Sequence, residues 1–332
     1  MTSPGFYSAL AAASRCTPGC SARDVVWSSG TLRLYRYRRP QTASAAVPLL
    51  IVYALVNPPS MLDLQEDRSL IRGLLNAGLD VYLIDWGDPG GADRLMTMAD
   101  YLALLDDCVR FIRGATNTKA LNLLGVCQGG VFSLCYTALN PRHVRNLITM
   151  VTPVDFQTPR DLLSKWVRHI DVAAWVGDGN VGADTLNQLF LSLMPFKLAQ
   201  QKYVDLLLRP PSQSELDTFM RIEKWIFDSP DLAGAAFREF VVGLYQQNGL
   251  MRNTLEIGGR GIDLSSLTLP VLNLFGSKDH LVPREASLAL GGLIRSTDYT
   301  PMEFDLGHIG MYVSGRAQKA VPPAIAGWLK TR

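Results

Sequence analysis

The chain has 332 residues, 48% of them hydrophobic and 19% charged, which is enough apolar material for a large core and too much for a disordered chain. Lys+Arg 32 against Asp+Glu 30 leaves a net charge of +2, which argues against nucleic acid as the main partner, because phosphate binding needs clustered positive charge. No apolar run approaches the roughly 20 residues that span a bilayer, and five cysteines, an odd number, do not make a disulfide framework.

The first residues are small and polar and lack the basic start of a secretory signal, so a cytoplasmic location is expected. Residues 1–24 read as a leader without clear period. Cys16 and Cys20 stand four apart with no second ligand pair, so no metal site is expected there. From Asp24 the chain reads as strands. Leu32–Tyr37 alternates, and its arginines belong to a basic stretch, Arg33 to Arg39, that reads as a solvated edge. Leu49–Leu55 is a strand broken by Asn57-Pro-Pro-Ser60. Glu66–Ala77 has helical spacing with Gly78 as its stop. Val81–Ile84 is a strand, Thr97–Arg113 a helix, Leu121–Leu124 a strand, Gln128–Leu139 a helix and Asn146–Val151 a strand. This alternation predicts an α/β fold with a mostly parallel sheet covered on both faces.

The pattern then lapses. Residues 155–258 read as helical, most clearly over Leu198–Leu208, Ser214–Phe227 and Leu232–Gln246, with breaks at Pro210-Pro211 and Ser229-Pro230. Alternation resumes with Val271–Phe275, Glu285–Ile294, Met302–Asp305 and Ala317–Lys330. The expected architecture is an α/β core, 25–154 and 259–332, interrupted by a helical cap or lid, 155–258.

Gly125-Val-Cys-Gln-Gly129 lies between a strand and a helix. It has the shape of a nucleophile elbow, G-x-S-x-G, with Cys127 in place of serine. A nucleophile on so sharp a turn needs small neighbours two residues away on each side. The N-terminus of the following helix favours negative charge, which for a thiol means the reactive thiolate. Cys135 falls on the same helix and reads as core. Of four histidines, His308 sits in Asp305-Leu-Gly-His-Ile-Gly310 just after the last strand, where this fold presents its general base. Asp279 follows the strand Val271–Phe275, where the acid that holds the imidazole is expected. The order Cys127, Asp279, His308 is the nucleophile–acid–base order of an α/β-hydrolase. Acyl transfer also needs oxyanion donors, for which the backbone N–H groups of Gln128 and Val56 are the candidates, since Pro58 and Pro59 have none.

These residues fall within longer motifs: Tyr53-Ala-Leu-Val-Asn57, Met61-Leu-Asp-Leu-Gln-Glu-Asp-Arg68, Tyr82-Leu-Ile-Asp-Trp-Gly87, Leu124-Gly-Val-Cys-Gln-Gly-Gly130, Glu223-Lys-Trp-Ile-Phe-Asp-Ser-Pro230, Lys278-Asp-His-Leu-Val-Pro283 and Gly307-His-Ile-Gly-Met-Tyr-Val-Ser-Gly315. Together they resemble the catalytic subunit of class III, two-component poly(3-hydroxyalkanoate) synthases (PhaC), over nine-tenths of the chain. The resemblance implies an acyltransferase that polymerises (R)-3-hydroxyacyl-CoA, mainly 3-hydroxybutyryl-CoA, on Cys127 with release of CoA. It implies that His308 deprotonates Cys127 and that Asp279 helps activate the substrate hydroxyl. It places Asp63 and His280 at the substrate entrance. It implies no cofactor, the CoA thioester being substrate, a homodimer with a second subunit of the PhaE type (PhaR being the alternative), and residence at cytoplasmic polyester granules. Two departures are visible: an atypical leader, and Pro58 and Ser60 where the family has a basic residue and an aromatic. A cysteine-type thioesterase on the same fold, with water as acceptor, and a catalytically silent granule-surface protein are the alternative readings. The long insertion and the motifs outside the triad favour the synthase.

Overall fold

The computed structural model describes residues 19–39, 47–193, 204, 208 and 211–332. The expected helix Leu198–Leu208 apart from Val204 and Leu208, Cys16 and most of the leader lie outside the described residues. Eight strands form one sheet: β1 Arg23–Ser29, β2 Leu32–Tyr37, β3 Leu49–Val52, β4 Val81–Asp85, β5 Leu121–Val126, β6 Val144–Met150, β7 Val271–Gly276 and β8 Tyr299–Phe304. Their spatial order is β1-β2-β4-β3-β5-β6-β7-β8. The pairs β1–β2 and β2–β4 are antiparallel, and the six strands from β4 to β8 run parallel. Strands β3, β5 and β7 are buried at every position, as continuous apolar runs covered on both faces must be. The edge strand β8 is only half-buried and carries Pro301, which an edge tolerates. The basic strand β2 is not an edge. It pairs with β1 and β4, buries Leu34 and Tyr37, and sends Arg36 to Asp80 at 3.0 Å.

Alternate side chains enter two cores. Leu50, Val52 and Leu123 face one, Leu49, Ile51 and Leu124 the other. Helix α1 (Leu70–Asn76) packs on the second face and α2 (Met98–Thr116) and α3 (Gln128–Leu139) on the first. The start of α1 differs from expectation. Arg68 and Ser69 pair with Asp63–Gln65 as a short hairpin, and the Ser69 hydroxyl accepts from Arg72 N at 2.9 Å as the helix cap. Helix α2 begins at a reciprocal cap between Thr97 and Asp100 and ends on Asn117 in the left-handed region.

Between β6 and β7 the described chain is mostly helical, with α4 Leu162–Val167, α5 Val172–Val176, α6 Ala183–Leu193, α7 Gln213–Phe227, α8 Gly234–Phe240 and α9 Gly249–Arg252, followed by a short antiparallel hairpin of Glu256–Ile257 and Arg260–Gly261. The predicted continuous helix Leu232–Gln246 is instead α8 followed by a π-helical turn over Val241–Gln246. After β7 come α10 (Arg284–Leu288), α11 (Leu290–Leu293), α12 (Gly310–Val313) and α13 (Gly315–Lys330). The first two replace one expected helix, split at Ala289 ahead of Gly291-Gly292. Residues 19–22 are tied to the body through Asp63. Its carboxylate accepts Ser21 N at 2.8 Å, Ser21 Oγ at 2.8 Å and Ser69 Oγ at 2.5 Å.

Because β4 and β5 lie on opposite sides of β3, the connections leaving β3 and β5 part company at the carboxyl edge of the sheet. Such a switch point opens a crevice there, where ligands bind in open α/β sheets.

Candidate active site

The sheet delivers four loops to that edge. Cys127 stands between β5 and α3 with φ +55° and ψ −123°, a region in which a residue with a Cβ is strained by about 1–3 kcal/mol. The turn is held by Cys127 N donating to Met150 O and Gly130 N donating to Cys127 O, each at 2.9 Å. The glycines are steric necessities. A Cβ on Gly129 would overlap the Val52 carbonyl oxygen, and one on Gly125 would overlap the Gly130 Cα. The elbow is therefore packed against β3 so closely that backbone meets backbone.

Asp279 and His308 arrive from the ends of β7 and β8. A Cβ on Gly276 would overlap the Leu306 carbonyl oxygen, so this glycine lets the two loops close on one another. His308 Nδ1 lies 2.7 Å from Asp279 Oδ2, and both side chains are buried. The second carboxylate oxygen, Oδ1, accepts Leu281 N and Val282 N, each at 2.9 Å. With Nδ1 so engaged, the other ring nitrogen is the one left to meet Cys127, whose sulfur is near enough to act on the imidazole. Burial by itself would lower the pKa of His308. The Asp279 carboxylate and the Cys127 sulfur outweigh it and hold the imidazole well above its ordinary value.

The loop after β3 is fastened on several sides. Trp86 Nε1 donates to Tyr53 O at 3.0 Å, Leu55 N donates to Gln128 Oε1 at 2.9 Å, and Trp225 Nε1 donates to Pro58 O at 2.7 Å. Asn57, with φ +63°, donates from Nδ2 to Ser229 Oγ at 2.5 Å. Leu55 N is thus spent on a side chain, whereas Val56 and Gln128 both line the cavity that Cys127 faces. That cavity has a volume of about 530 Å³. Its wall is mostly hydrocarbon from the helices between β6 and β7, including Leu186, Phe219, Trp225 and Phe240. Cys127, His308 and His280 border it.

Asp63 does not reach the cavity. It is fully buried on the far side of its hairpin, where four donors surround it: Ser21 N, Ser21 Oγ, Ser69 Oγ and Cys20 Sγ, the last at 3.1 Å. Burial and this carboxylate push the Cys20 thiol up to about 11. Cys135 and Cys108 are buried, and burial pushes Cys135 to about 12. Sequence reasoning missed Tyr53, Tyr312 and the Gln128 side chain, all on the cavity wall. Tyr53, Gln128 and Tyr312 all stood in the quoted motifs, but no spacing marked their side chains. Among the described residues no cluster of three His, Cys, Asp or Glu side chains is placed to hold a metal ion. No helix among them is long and apolar enough to cross a membrane.

A family model for the alpha/beta hydrolase fold matches residues 47–314. The chain is 54% identical over 318 residues to the poly(3-hydroxyalkanoate) polymerase subunit PhaC of Allochromatium vinosum, covering 95% of this chain and 90% of that one. It is 50% identical to the subunit of the same name from Thiocystis violacea, covering 95% and 89%. Among solved structures, a hydrolase from Pseudomonas aeruginosa PA01 superposes with a TM-score of 0.57 at 15% identity, covering 92% of this chain and 98% of that one. At that identity the likeness speaks for the fold alone.

Proposed function

The chain belongs to the PhaC family of poly(3-hydroxyalkanoate) polymerase subunits, on an alpha/beta hydrolase fold, and we propose that it grows polyester from (R)-3-hydroxyacyl-CoA, chiefly 3-hydroxybutyryl-CoA, on Cys127. The observation that carries this reading is the His308–Asp279 contact of 2.7 Å beside an elbow cysteine, opening on an apolar cavity.

In the first step the Cys127 sulfur gives its proton to His308 and attacks the thioester carbonyl. The tetrahedral oxyanion is held by the N–H groups of Gln128 and Val56, a contribution worth about 10²–10³ in rate per donor in such sites. The carbonyl re-forms, the carbon–sulfur bond to CoA breaks, and the proton on His308 leaves with the CoA thiol. In the second step a 3-hydroxyl attacks the acyl-Cys127 thioester. His308 takes the hydroxyl proton, a new ester forms, and the sulfur of Cys127 is released. Both oxygens of Asp279 already accept hydrogen bonds, one from His308 and the other from two backbone N–H groups. This supports a role for Asp279 through His308 rather than on the hydroxyl directly.

Residues 155–258 serve as the cap in this reading. Their side chains supply most of the hydrocarbon wall, which excludes water and so favours an alcohol over hydrolysis as the acyl acceptor. A second subunit, of the PhaE type before the PhaR type, a homodimer and residence at the product granule complete the proposal, supported by the family resemblance.

The test is incubation of the purified chain with 3-hydroxybutyryl-CoA, following free CoA and insoluble polyester separately. Both are expected, and Cys127→Ala abolishes both while Cys135→Ala keeps most activity. CoA release without polyester would instead identify a thioesterase.

A further inference from the structure

Tyr53 and Tyr312 take no part in the steps above, yet both line the cavity with Cys127 and His308. Tyr53 follows the last residue of β3. Tyr312 lies on α12, four residues beyond His308. They are only 3% and 2% exposed. Their rings meet edge to face with centroids 6.4 Å apart at 84°, and the Tyr312 ring stands at the same distance from the His308 imidazole, at 83°. The two phenols are near enough for each to act on the other electrostatically.

If these rings served packing alone, phenylalanine would fill the same space and bury no hydroxyl. Burying a phenol is costly unless it is hydrogen-bonded. Two phenols carry two O–H protons. Their O–H donors and lone pairs together match a single alcohol that both donates and accepts. Among the polar groups nearest the elbow, Asn57 is engaged with Ser229, Gln128 Oε1 with Leu55 N, and His308 Nδ1 with Asp279, whereas Asn187 on the opposite wall keeps a buried Nδ2 without a partner. Burial, with the Cys127 sulfur adding to it, raises both phenols above their ordinary range, so the donor persists across the working pH.

We propose that the Tyr53–Tyr312 hydroxyl pair receives the 3-hydroxyl of the acyl group delivered to Cys127, and so makes the site select 3-hydroxyacyl over plain acyl thioesters. This rests on the assignment of Cys127 as the acyl carrier. The pair is a specificity determinant: a site built to hydrogen-bond a hydroxyl discriminates strongly against the analogue that lacks it.

The experiment is single-turnover acylation by (R)-3-hydroxybutyryl-CoA and by butyryl-CoA, read as the first burst of free CoA. Native protein is expected to prefer the hydroxylated thioester by roughly tenfold or more. Tyr53→Phe and Tyr312→Phe, made singly and together, should bring the ratio close to one by slowing the hydroxylated substrate alone. The butyryl-CoA rate reports that each variant is folded. A native ratio near one overturns the proposal whatever the variants do. So does a ratio that survives both substitutions, or an equal loss with both substrates in both single variants. Failure of the underlying assignment looks different: the native burst would be absent with both thioesters, or would persist in Cys127→Ala.

Discussion

The sheet and the helices between β6 and β7 build the same cavity in different ways. Strands β3, β5 and β7 are buried throughout, and the elbow between β5 and α3 is packed backbone against backbone. The helical segment is made of short pieces. Helices α4 and α5 have 6 and 5 residues, and each is started by an aspartate, Asp161 or Asp171, that accepts a backbone N–H. Helices that short have little intrinsic stability and depend on tertiary packing. Trp166, Trp175 and Phe227 in this segment are 51%, 40% and 59% exposed. In the proposed reaction the difference follows from the task. A nucleophile, a base and an acid must be held within fractions of an ångström. A wall that excludes water has only to be apolar and close.

The sharpest way to break this contrast is to add one methyl group to each region. Gly129→Ala should cost about 3 kcal/mol or more, because the new Cβ meets the Val52 carbonyl, which cannot move without disturbing β3. Gly182→Ala, whose Cβ would meet open space, should stay within about 0.5 kcal/mol. Urea unfolding followed by circular dichroism measures both, and similar costs at the two sites would erase the distinction.

A smaller effect comes from the buried pair. His308 has a folded-state pKa above its unfolded value of about 6.5. Its contribution is therefore complete below about pH 6.5 and is lost as pH rises through the raised value. Asp279→Asn removes the carboxylate that raises it, so the decline in stability over that alkaline range should flatten. Denaturation midpoints at pH 6 and pH 9, compared between native protein and variant, test the sign.

The smallest effect is expected in the cap. Burial pushes the Asp161 carboxyl up to about 6. Raised above its unfolded value near 4, it contributes stability at low pH that is lost as pH climbs from about 4 to about 6. Amide exchange in α4, corrected for intrinsic rates, should quicken across that window while β5 is unaffected. Asp161→Asn keeps a capping acceptor without the titration, and should abolish the change.

Much of this was legible in the chain itself. The alternation of apolar runs with helical spacing gave the sheet, and Gln128–Leu139 is a helix over the predicted residues. Helix α2 starts at Thr97, where the helical spacing begins, and the reciprocal cap found there is a local hydrogen-bond pattern. The elbow was readable for the same reason: its glycines and its cysteine lie within five residues. The beginning of α1 was not readable, since Arg68 and Ser69 join a hairpin whose stability comes from Asp63 and, through it, from Ser21.

By itself the sequence determined the order of Cys127, Asp279 and His308 and the strand ends on which they sit. Periodicity and turn chemistry act between neighbours in the chain. Only the tertiary structure decided which side chains share a wall. Asp63 and Asp279 are both acidic residues in quoted motifs; one is enclosed by donors from residue 21 and residue 69, the other holds an imidazole 29 residues away. Tyr53 and Tyr312 are 259 positions apart in the numbering and meet edge to face because β3 and α12 converge on one edge of the sheet. No local spacing encodes that meeting, because it depends on how the whole sheet is ordered.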